Sequence, residues 1–170
     1  DMSIVGIIAN PSAGKDIRRV VAHGRTVPDI EKVNIIKRVL LGLDAAGVNQ
    51  VLLMPDRSML GKSALRSLCL RTNVRFLDTV VLGEESDSTR AARKMVSMGV
   101  GCLVTLGGDG TNRAVALGSG KVPIVPIALG TNNVFSINVE GTLAGLAAGV
   151  VARDVIDQKK TVTSTRKLEV

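Results

Sequence analysis

The stretch GCLVTLGGDGT, which runs from Gly101 to Thr111, decides the fold of this chain. Its apolar part, Gly101–Leu106, is typical of a strand that is buried on both faces. The small residues GGDGT (107–111) follow this strand directly. Glycines let the backbone approach a phosphate closely, and a helix that starts near Thr111 would add the positive end of its dipole. The stretch therefore predicts a buried strand with a candidate anion-binding loop at its carboxyl end.

Strand and helix signals alternate about five times along the chain around this stretch. Apolar runs predict the other strands at Ser3–Ala9, Gln50–Met54, Val74–Leu82 and Val122–Ala128. Helical periodicity predicts helices at Ile30–Asp44, Ser58–Leu70 (with Ser58 as candidate N-cap), Ser86–Met98 and Thr142–Arg153. Alternation of this kind implies βαβ units with right-handed crossovers. The predicted fold class is α/β, with a mostly parallel sheet covered by helices on both faces.

The composition excludes several other classes of protein. Of the 170 residues, 45% are apolar and 22% are charged, which is too apolar for a disordered tail. No apolar run approaches the roughly 18 to 20 residues that span a bilayer. Phe76 and Phe135 are the only aromatic residues, which argues against a module that stacks nucleic-acid bases. The formal net charge of +7 is dispersed, and we read it as a field suited to a polyphosphate ligand.

The cysteines and the cationic residues after the second strand predict ordinary structural roles. Cys69 and Cys102 lie in apolar runs without metal-ligand spacing, so we expect buried, reduced thiols. No signal peptide is visible, and the predicted compartment is the cytoplasm. Four cationic residues have the spacing of the solvent face of a helix: Arg57, Lys62, Arg66 and Arg71.

The composition changes near Arg153. The segment Lys159–Val170 is polar, alternating and rich in Thr and Val, as in half-exposed antiparallel strands. We therefore expect residues 1–153 to form a nucleotide-binding α/β domain and residues 154–170 to begin a truncated C-terminal β domain. On this reading the chain is a fragment that is inactive alone.

Two more loops of small residues follow predicted strands, namely NPSAGK (10–15) and GTNN (130–133). Ligands of open parallel sheets bind beyond the carboxyl ends of the strands, so we expect the three loops to converge. A carboxylate at Asp109 would repel a bound anion. It makes sense if Asp109 accepts a proton from an attacking hydroxyl or helps to bind Mg²⁺. The alternative is a carboxylate that stabilises its own turn.

Better-known motifs do not fit the sequence. The spacing from Gly6 to Gly14-Lys15 is wrong for a Walker A loop, and Asn10-Pro11 stands where a dinucleotide fingerprint needs its first glycine. His23 is the only histidine, and no serine nucleophile signature accompanies it, so a histidine-based triad is not predicted.

The three loops instead resemble a known superfamily. GGDGT (107–111) looks like the signature of the NAD kinase and diacylglycerol kinase superfamily, which also includes the sphingosine kinases. NPSAGK (10–15) resembles its N-P-x-S/A-G loop, and PIALGTNN (126–133) resembles its P-x-G-T-x-N element. The segment Gly14–Leu43 is similar to the ATP-NAD kinase-like proteins of acetoin catabolism operons, the acetoin catabolism protein X branch.

The resemblance implies a Rossmann-like N-terminal α/β domain and an all-β C-terminal domain, with the site in the cleft between them. Asp109 would be the catalytic proton acceptor. ATP would be the nucleotide, with Mg²⁺ held through its phosphates and no metal ligand from the protein. The implied nucleotide-binding residues are Asn10, Ser12, Gly14, Gly107, Gly108, Gly110, Thr111, Gly130, Thr131 and Asn133.

Three functions stay open at this point. The first is an ATP-dependent kinase that phosphorylates a hydroxyl of NAD to give NADP. The second is a nucleotide- or NAD-binding regulatory protein of acetoin catabolism without kinase activity. The third is a lipid or small-alcohol kinase, although Ala114 and Val134 replace the Glu and Asp usual in the lipid kinase motifs. ATP and NAD are the expected partners, nucleic acid and membrane are not, and a homo-oligomer is left open.

Overall fold

The computed structural model describes residues 2–13, 26–129 and 133–165. Five strands form one sheet in the order β3-β2-β1-β4-β5, and every pairing is parallel. The strands are β1 (Ile4–Ala9), β2 (Gln50–Leu53), β3 (Asn73–Phe76), β4 (Cys102–Gly107) and β5 (Ile124–Ala128). Each predicted strand is confirmed in position, and the α/β fold class is confirmed with it.

The described helices cover both faces of the sheet. They are α1 (Asp29–Ala45), α2 (Leu60–Leu65), α3 (Ser86–Ser97), α4 (Asp109–Ser119), α5 (Gly141–Ala152) and α6 (Gln158–Thr161). One apolar cluster joins the sheet to α1, α2 and α5, and a second cluster joins its other face to α3 and α4. Because β1 and β4 are buried on both faces, their side chains form continuous apolar runs rather than an alternating pattern.

Helices α1 and α5 touch through their backbones. A Cβ atom at Gly145 would lie 2.3 Å from the carbonyl oxygen of Val39, and one at Gly42 would lie 2.3 Å from that of Thr142. Only hydrogen fits at these two positions. The small residues that the sequence shows in α5 therefore serve this close helix crossing.

Strand β3 is shorter than the predicted Val74–Leu82 and ends at Phe76. Its partner β2 ends at Leu53, and the last bond between them runs from the Leu77 N–H to the Leu53 carbonyl at 2.8 Å. Pro55 then takes the chain away from the sheet. Beyond this point β3 has no strand to pair with.

Pro126 is tolerated because β5 is an edge strand. On its inner side β5 pairs with β4, and Thr105 lies opposite Pro126 in the register. On its outer side the Pro126 carbonyl accepts the Ile137 N–H at 3.3 Å. The missing N–H of the proline thus faces away from the main ladder, and pairing with β4 extends along the whole strand.

Helix α2 corrects two expectations. It begins at Leu60 rather than Ser58, and Met59 before it has a left-handed φ of 52°. Asp56, not Ser58, accepts the first helical N–H groups, at 3.1 Å from Leu60 and 3.4 Å from Gly61. A carboxylate that receives N–H groups at a helix start is stabilised there, so the predicted Ser58 cap is wrong.

The early end of α2 also changes the predictions for its neighbours. Cys69 lies beyond Leu65 and is exposed, so the prediction of a buried thiol is wrong there. Cys102 is buried as predicted, and burial raises the pKa of its thiol to about 12. Arg57 lies before the helix and not on its face.

The end of the described chain is not a strand where one was expected to begin. Gln158–Thr161 is the short helix α6, with the Asp157 carboxylate accepting the Lys159 N–H at 3.0 Å. Residues 162–165 form no strand, and 166–170 lie outside the described residues. The division into 1–153 and 154–170 stays a prediction. Within the described ranges, no helix has the length and apolarity required to cross a bilayer.

Candidate functional site

The loops after β1 and β4 meet at the centre of the sheet. These two strands are neighbours, and the strand order runs outward from them in opposite directions, which makes this the topological switch point. The Asn10 N–H bonds the Leu106 carbonyl at 3.0 Å, and Asn10 Nδ2 donates to Thr111 Oγ1 at 3.1 Å. The convergence predicted for these two loops is therefore present.

A cleft of about 740 Å³ opens above this point. That volume is within the range of small-molecule and cofactor sites, about 300 to 1,000 Å³. The predicted site residues that line it are Asn10, Ser12, Gly108, Asp109, Gly110, Thr111 and Asn133. Gly14, Gly130 and Thr131 lie outside the described residues, as does His23.

Gly107 has a different position from the other glycines of its loop. It is the last residue of β4 and does not line the cleft. A Cβ atom there would lie 2.5 Å from Thr111 Oγ1, so the glycine makes room for the Thr111 side chain. Gly110 differs, because a Cβ atom there would meet nothing within 4 Å.

Helix α4 starts inside the signature loop. Gly108 is its N-cap residue, with an extended φ of −101° and ψ of −170°, and the helix begins at Asp109. The first N–H groups of a helix have no earlier carbonyl to bond, and they carry the positive end of the dipole. The first N–H with an intrahelical partner is that of Asn112, which bonds the Gly108 carbonyl at 3.1 Å. The loop thus points a positive helix end at the cleft.

Asp109 holds the loop that follows β5. Its Oδ2 accepts the Val134 N–H at 2.7 Å, and its Oδ1 accepts those of Phe135 at 3.0 Å and Ser136 at 3.3 Å. The bond from Val134, aided by the other two, holds the pKa of Asp109 below its ordinary value although partial burial opposes this. Asp109 does not stabilise its own turn, since its partners lie on another loop. It carries a negative charge at neutral pH.

Asn112 is a buried hub that the sequence did not reveal. Its Oδ1 accepts from Thr105 Oγ1 at 2.5 Å, while its Nδ2 donates to Ser136 Oγ at 2.6 Å and to the Gly108 carbonyl at 3.1 Å. The side chain therefore connects β4, the signature loop and the loop after β5. The sequence gives no signal for this role, because Thr105 and Ser136 reach the Asn112 side chain only in the folded chain.

Lys32 on α1 supports the loop after β1. Its side chain is 0% exposed, and Nζ donates to the Pro11 carbonyl at 2.6 Å and lies 3.6 Å from Asp29 Oδ1. Within the loop, Asn10 Oδ1 accepts the Ser12 N–H at 2.9 Å. The buried Lys32 side chain on α1 therefore holds the loop after β1 in place. The sequence pattern predicted only that Lys32 lies within a helix.

The segment before α3 forms another wall of the cleft, and Asp87 holds it in place. Its side chain is 4% exposed and accepts the N–H groups of Leu82, Gly83 and Glu84, and it also bonds Arg90. Burial alone would raise the pKa of Asp87, but these donors outweigh it and lower the pKa. The backbone of this segment is therefore tied to α3, and the Asp87 carboxylate stays ionised at neutral pH.

The cleft does not contain a preformed metal site. Across the described residues, no three His, Cys, Asp or Glu side chains are grouped to hold a metal ion. Both oxygens of Asp109 are engaged by backbone N–H groups, as are those of Asp87. These two carboxylates are therefore not free to ligate Mg²⁺ in this arrangement, and the expectation of a metal that comes with the phosphates of ATP stays a prediction.

The fold and the position of the cleft define a class of protein. They are those of a Rossmann-like α/β domain with its candidate site at the topological switch point. The family model of the ATP-NAD kinase N-terminal domain matches residues 5–155, and the chain belongs to this family. The resemblance seen in the three motifs is thereby confirmed. Members of the NAD kinase family use ATP and a divalent metal.

A curated relative agrees with this assignment. Acetoin catabolism protein X of Cupriavidus necator is 40% identical over 174 residues. The match covers 98% of this chain and 48% of that protein, so the chain spans about half the length of the relative. The similarity to the acetoin catabolism branch is therefore also confirmed.

Proposed function

We propose that this protein is an ATP-dependent phosphotransferase that phosphorylates a hydroxyl of NAD to give NADP. One observation carries the proposal: residues 108–111 of the GGDGT loop, Asp109 among them, line a cleft at the switch point in a chain of the ATP-NAD kinase family. Phosphoryl transfer depends mainly on positioning and electrostatics, so glycine loops and one carboxylate are sufficient equipment. In this proposal ATP and NAD are the partners, and the protein acts in the cytoplasm.

The reaction exchanges one phosphorus–oxygen bond for another. The bond from the γ-phosphorus to the β,γ-bridging oxygen of ATP breaks, and a bond to the acceptor hydroxyl oxygen forms. ADP leaves with the electron pair, and the hydroxyl proton passes to Asp109. Backbone N–H groups of Gly108, Gly110 and Thr111 would hold the phosphates, with Asn10, Ser12 and Asn133 beside them. Mg²⁺ enters as the ion already bound to ATP.

The lowered pKa of Asp109 fits this role in one respect and restricts it in another. The carboxylate is ionised at neutral pH and is able to accept a proton. It is also a weak base whose oxygens bond the N–H groups of Val134 and Phe135. In a loose transition state the acceptor needs little deprotonation before the phosphoryl group arrives, so a weak base is adequate.

The test is to incubate the full natural protein with Mg-ATP and NAD and to measure NADP. Asp109→Ala should lose most of the activity. If no NADP forms and ATP is not consumed, the kinase proposal is wrong. If the protein consumes ATP with another alcohol or a lipid as acceptor but not with NAD, the acceptor is wrong and the lipid or small-alcohol kinase is right.

A second function is favoured by the contacts of Asp109. Because its carboxylate fastens residues 134–136, it has a structural role that needs no chemistry. A nucleotide- or NAD-binding regulator of acetoin catabolism would keep this arrangement without turnover. Calorimetry with ATP, NAD and NADP separates the two, since tight NAD binding without NADP formation supports the regulator.

A further inference from the structure

We infer that Arg57 binds the phosphates of the nucleotide in the cleft that the GGDGT loop also lines. The inference rests on the proposed function, because it assigns a phosphate ligand to the same cleft. Arg57 lines that cleft together with Gly108 and Gly110. None of the motifs quoted from the sequence contains it.

The backbone places Arg57 at the corner of a fixed turn. The Met59 N–H bonds the Asp56 carbonyl at 3.2 Å, so Arg57 and Ser58 are the two central residues of a hydrogen-bonded turn. The same Asp56 also binds the start of α2 with its carboxylate, at 3.1 Å from the Leu60 N–H. The turn follows β2, at the carboxyl edge of the sheet where the other loops meet.

The guanidinium group rests on Gly83. A Cβ atom at Gly83 would lie 3.3 Å from Nη1, 3.4 Å from Cζ and 3.7 Å from Nε of Arg57. These three similar distances show that the guanidinium plane lies across the glycine. Gly83 has a φ of +89°, and its N–H bonds Asp87 Oδ2 at 2.7 Å. The backbone beneath the guanidinium is thus held by Asp87, and its left-handed φ favours glycine at this position.

The charge of Arg57 has no counter-ion in the described part of the chain. Arg57 makes no hydrogen bond or ion pair there, whereas Arg113, which also lines the cleft, bonds Glu85 at 2.9 Å. The carboxylates of Asp56, Asp87 and Asp109 are each occupied by backbone N–H groups. A guanidinium that is supported from one side and unpaired on the other presents its donors to an anion, and its planar fork suits phosphate oxygens.

The ligand class follows from this geometry. Glycine N–H groups and a guanidinium that line the same cleft would together hold a chain of phosphates. We therefore expect Arg57 to recognise the polyphosphate and to be indifferent to the nucleoside. A solvated arginine with no ligand is the alternative, and the experiment must separate it from phosphate binding.

The experiment measures the affinity of the full natural protein for ATP, tripolyphosphate and adenosine by calorimetry. Arg57→Ala should weaken ATP and tripolyphosphate binding by about tenfold or more and leave adenosine binding unchanged. Arg57→Lys should recover part of the loss. Arg66→Ala is the matched control, because it removes one exposed positive charge outside the cleft and should leave all three affinities unchanged.

Two failures are distinguishable. If the wild type binds ATP and Arg57→Ala binds it equally well, or if Arg66→Ala loses as much affinity, the inference is wrong while the proposed function stands. If the wild type binds ATP and tripolyphosphate through Arg57 but forms no NADP from Mg-ATP and NAD, the inference stands and the proposed function fails. If the wild type binds none of these ligands, both are wrong. Thermal unfolding of each variant checks that the fold is kept.

Discussion

Asn10 and Thr111 are joined by a hydrogen bond of 3.1 Å from Nδ2 to Oγ1, although 101 positions separate them in the sequence. The bond connects the loop after β1 to the start of α4. Side chains of the motifs themselves therefore hold two of the three motif loops together. The third loop is connected to the same point by Asp109 through Val134. The site is a set of coupled loops, and changes at these links should affect ligand binding more than folding.

Asn10→Ala should weaken nucleotide binding through loss of the link between the loops. The free energy of unfolding should fall by about 1 kcal/mol, the usual loss for one hydrogen bond. Asn49→Ala is the matched control. Asn49 Oδ1 accepts from the Ser3 N–H and Oγ, both at 2.9 Å, at the amino ends of the strands, away from the cleft. Urea unfolding should show similar losses for both variants, whereas calorimetry should show weaker ATP binding for Asn10→Ala alone. Equal ATP affinities in the two variants would contradict the account.

Asn112→Ala should destabilise the protein strongly. The side chain is 3% exposed, and its removal leaves the hydroxyls of Thr105 and Ser136 without their partner. Unsatisfied buried polar groups cost about 1 to 3 kcal/mol each, so we expect a loss of about 2 to 4 kcal/mol in urea unfolding. Asn138→Ala, at an exposed position, should change the stability by less than about 0.5 kcal/mol. A loss at Asn112 no larger than at Asn138 would show that the hub contributes little.

Gly145→Ala should destabilise the α1–α5 crossing. The new methyl group would lie 2.3 Å from the Val39 carbonyl oxygen, so the helices must separate. Overpacking of this kind costs about 1 to 3 kcal/mol, although alanine is the better helix former. Ala147→Gly on the exposed side of α5 should lose only about 1 kcal/mol, through helix propensity. Thermal unfolding that shows Gly145→Ala to be as stable as wild type would refute the close contact.

Stability should depend on Asp87 in a defined direction of pH. Its folded pKa is below the ordinary value of 3.8, so the stabilisation is present above that value and is lost as the pH falls through the folded pKa. Asp87→Asn should be less stable than wild type at neutral pH, and its stability should fall less steeply as the pH drops below 3.8. Urea unfolding at a series of pH values measures both effects. Parallel curves for the two proteins would mean that Asp87 is not held as described.

Much of the fold could be predicted because it depends on local patterns. Apolar runs located all five strands, and the switch-point rule predicted that the loops after β1 and β4 would meet. The ends of β3 and α2 could not be predicted, because Phe76 is the last residue with a strand partner and Asp56 moves the helix start to Leu60. The end of β3 depends on its tertiary partner β2, whereas the cap of α2 is local, since Asp56 lies four positions before Leu60 and the pattern does not show that Met59 is left-handed.

The residue types of the candidate site could be predicted from the sequence, but the hydrogen bonds between these residues could not. The sequence pointed to Asp109 as a carboxylate in a glycine loop, yet its partners lie 25 to 27 positions away, at residues 134–136. Asn112 and Lys32 gave no signal, because a buried polar side chain looks like an exposed one in a helical pattern. Arg57 was interpreted as part of a solvated helix face, and only the turn and Gly83 place it on the cleft.

We propose above that the full natural protein transfers the γ-phosphoryl group of ATP to NAD with Asp109 as proton acceptor. The most direct measurement follows a label on the γ-phosphate of ATP into NADP with the full natural protein. We predict labelled NADP with wild type and with the exposed control Asp78→Asn, and a loss of about 100-fold or more with Asp109→Asn. Label that never reaches NADP, or that reaches it equally fast with Asp109→Asn, would contradict the account.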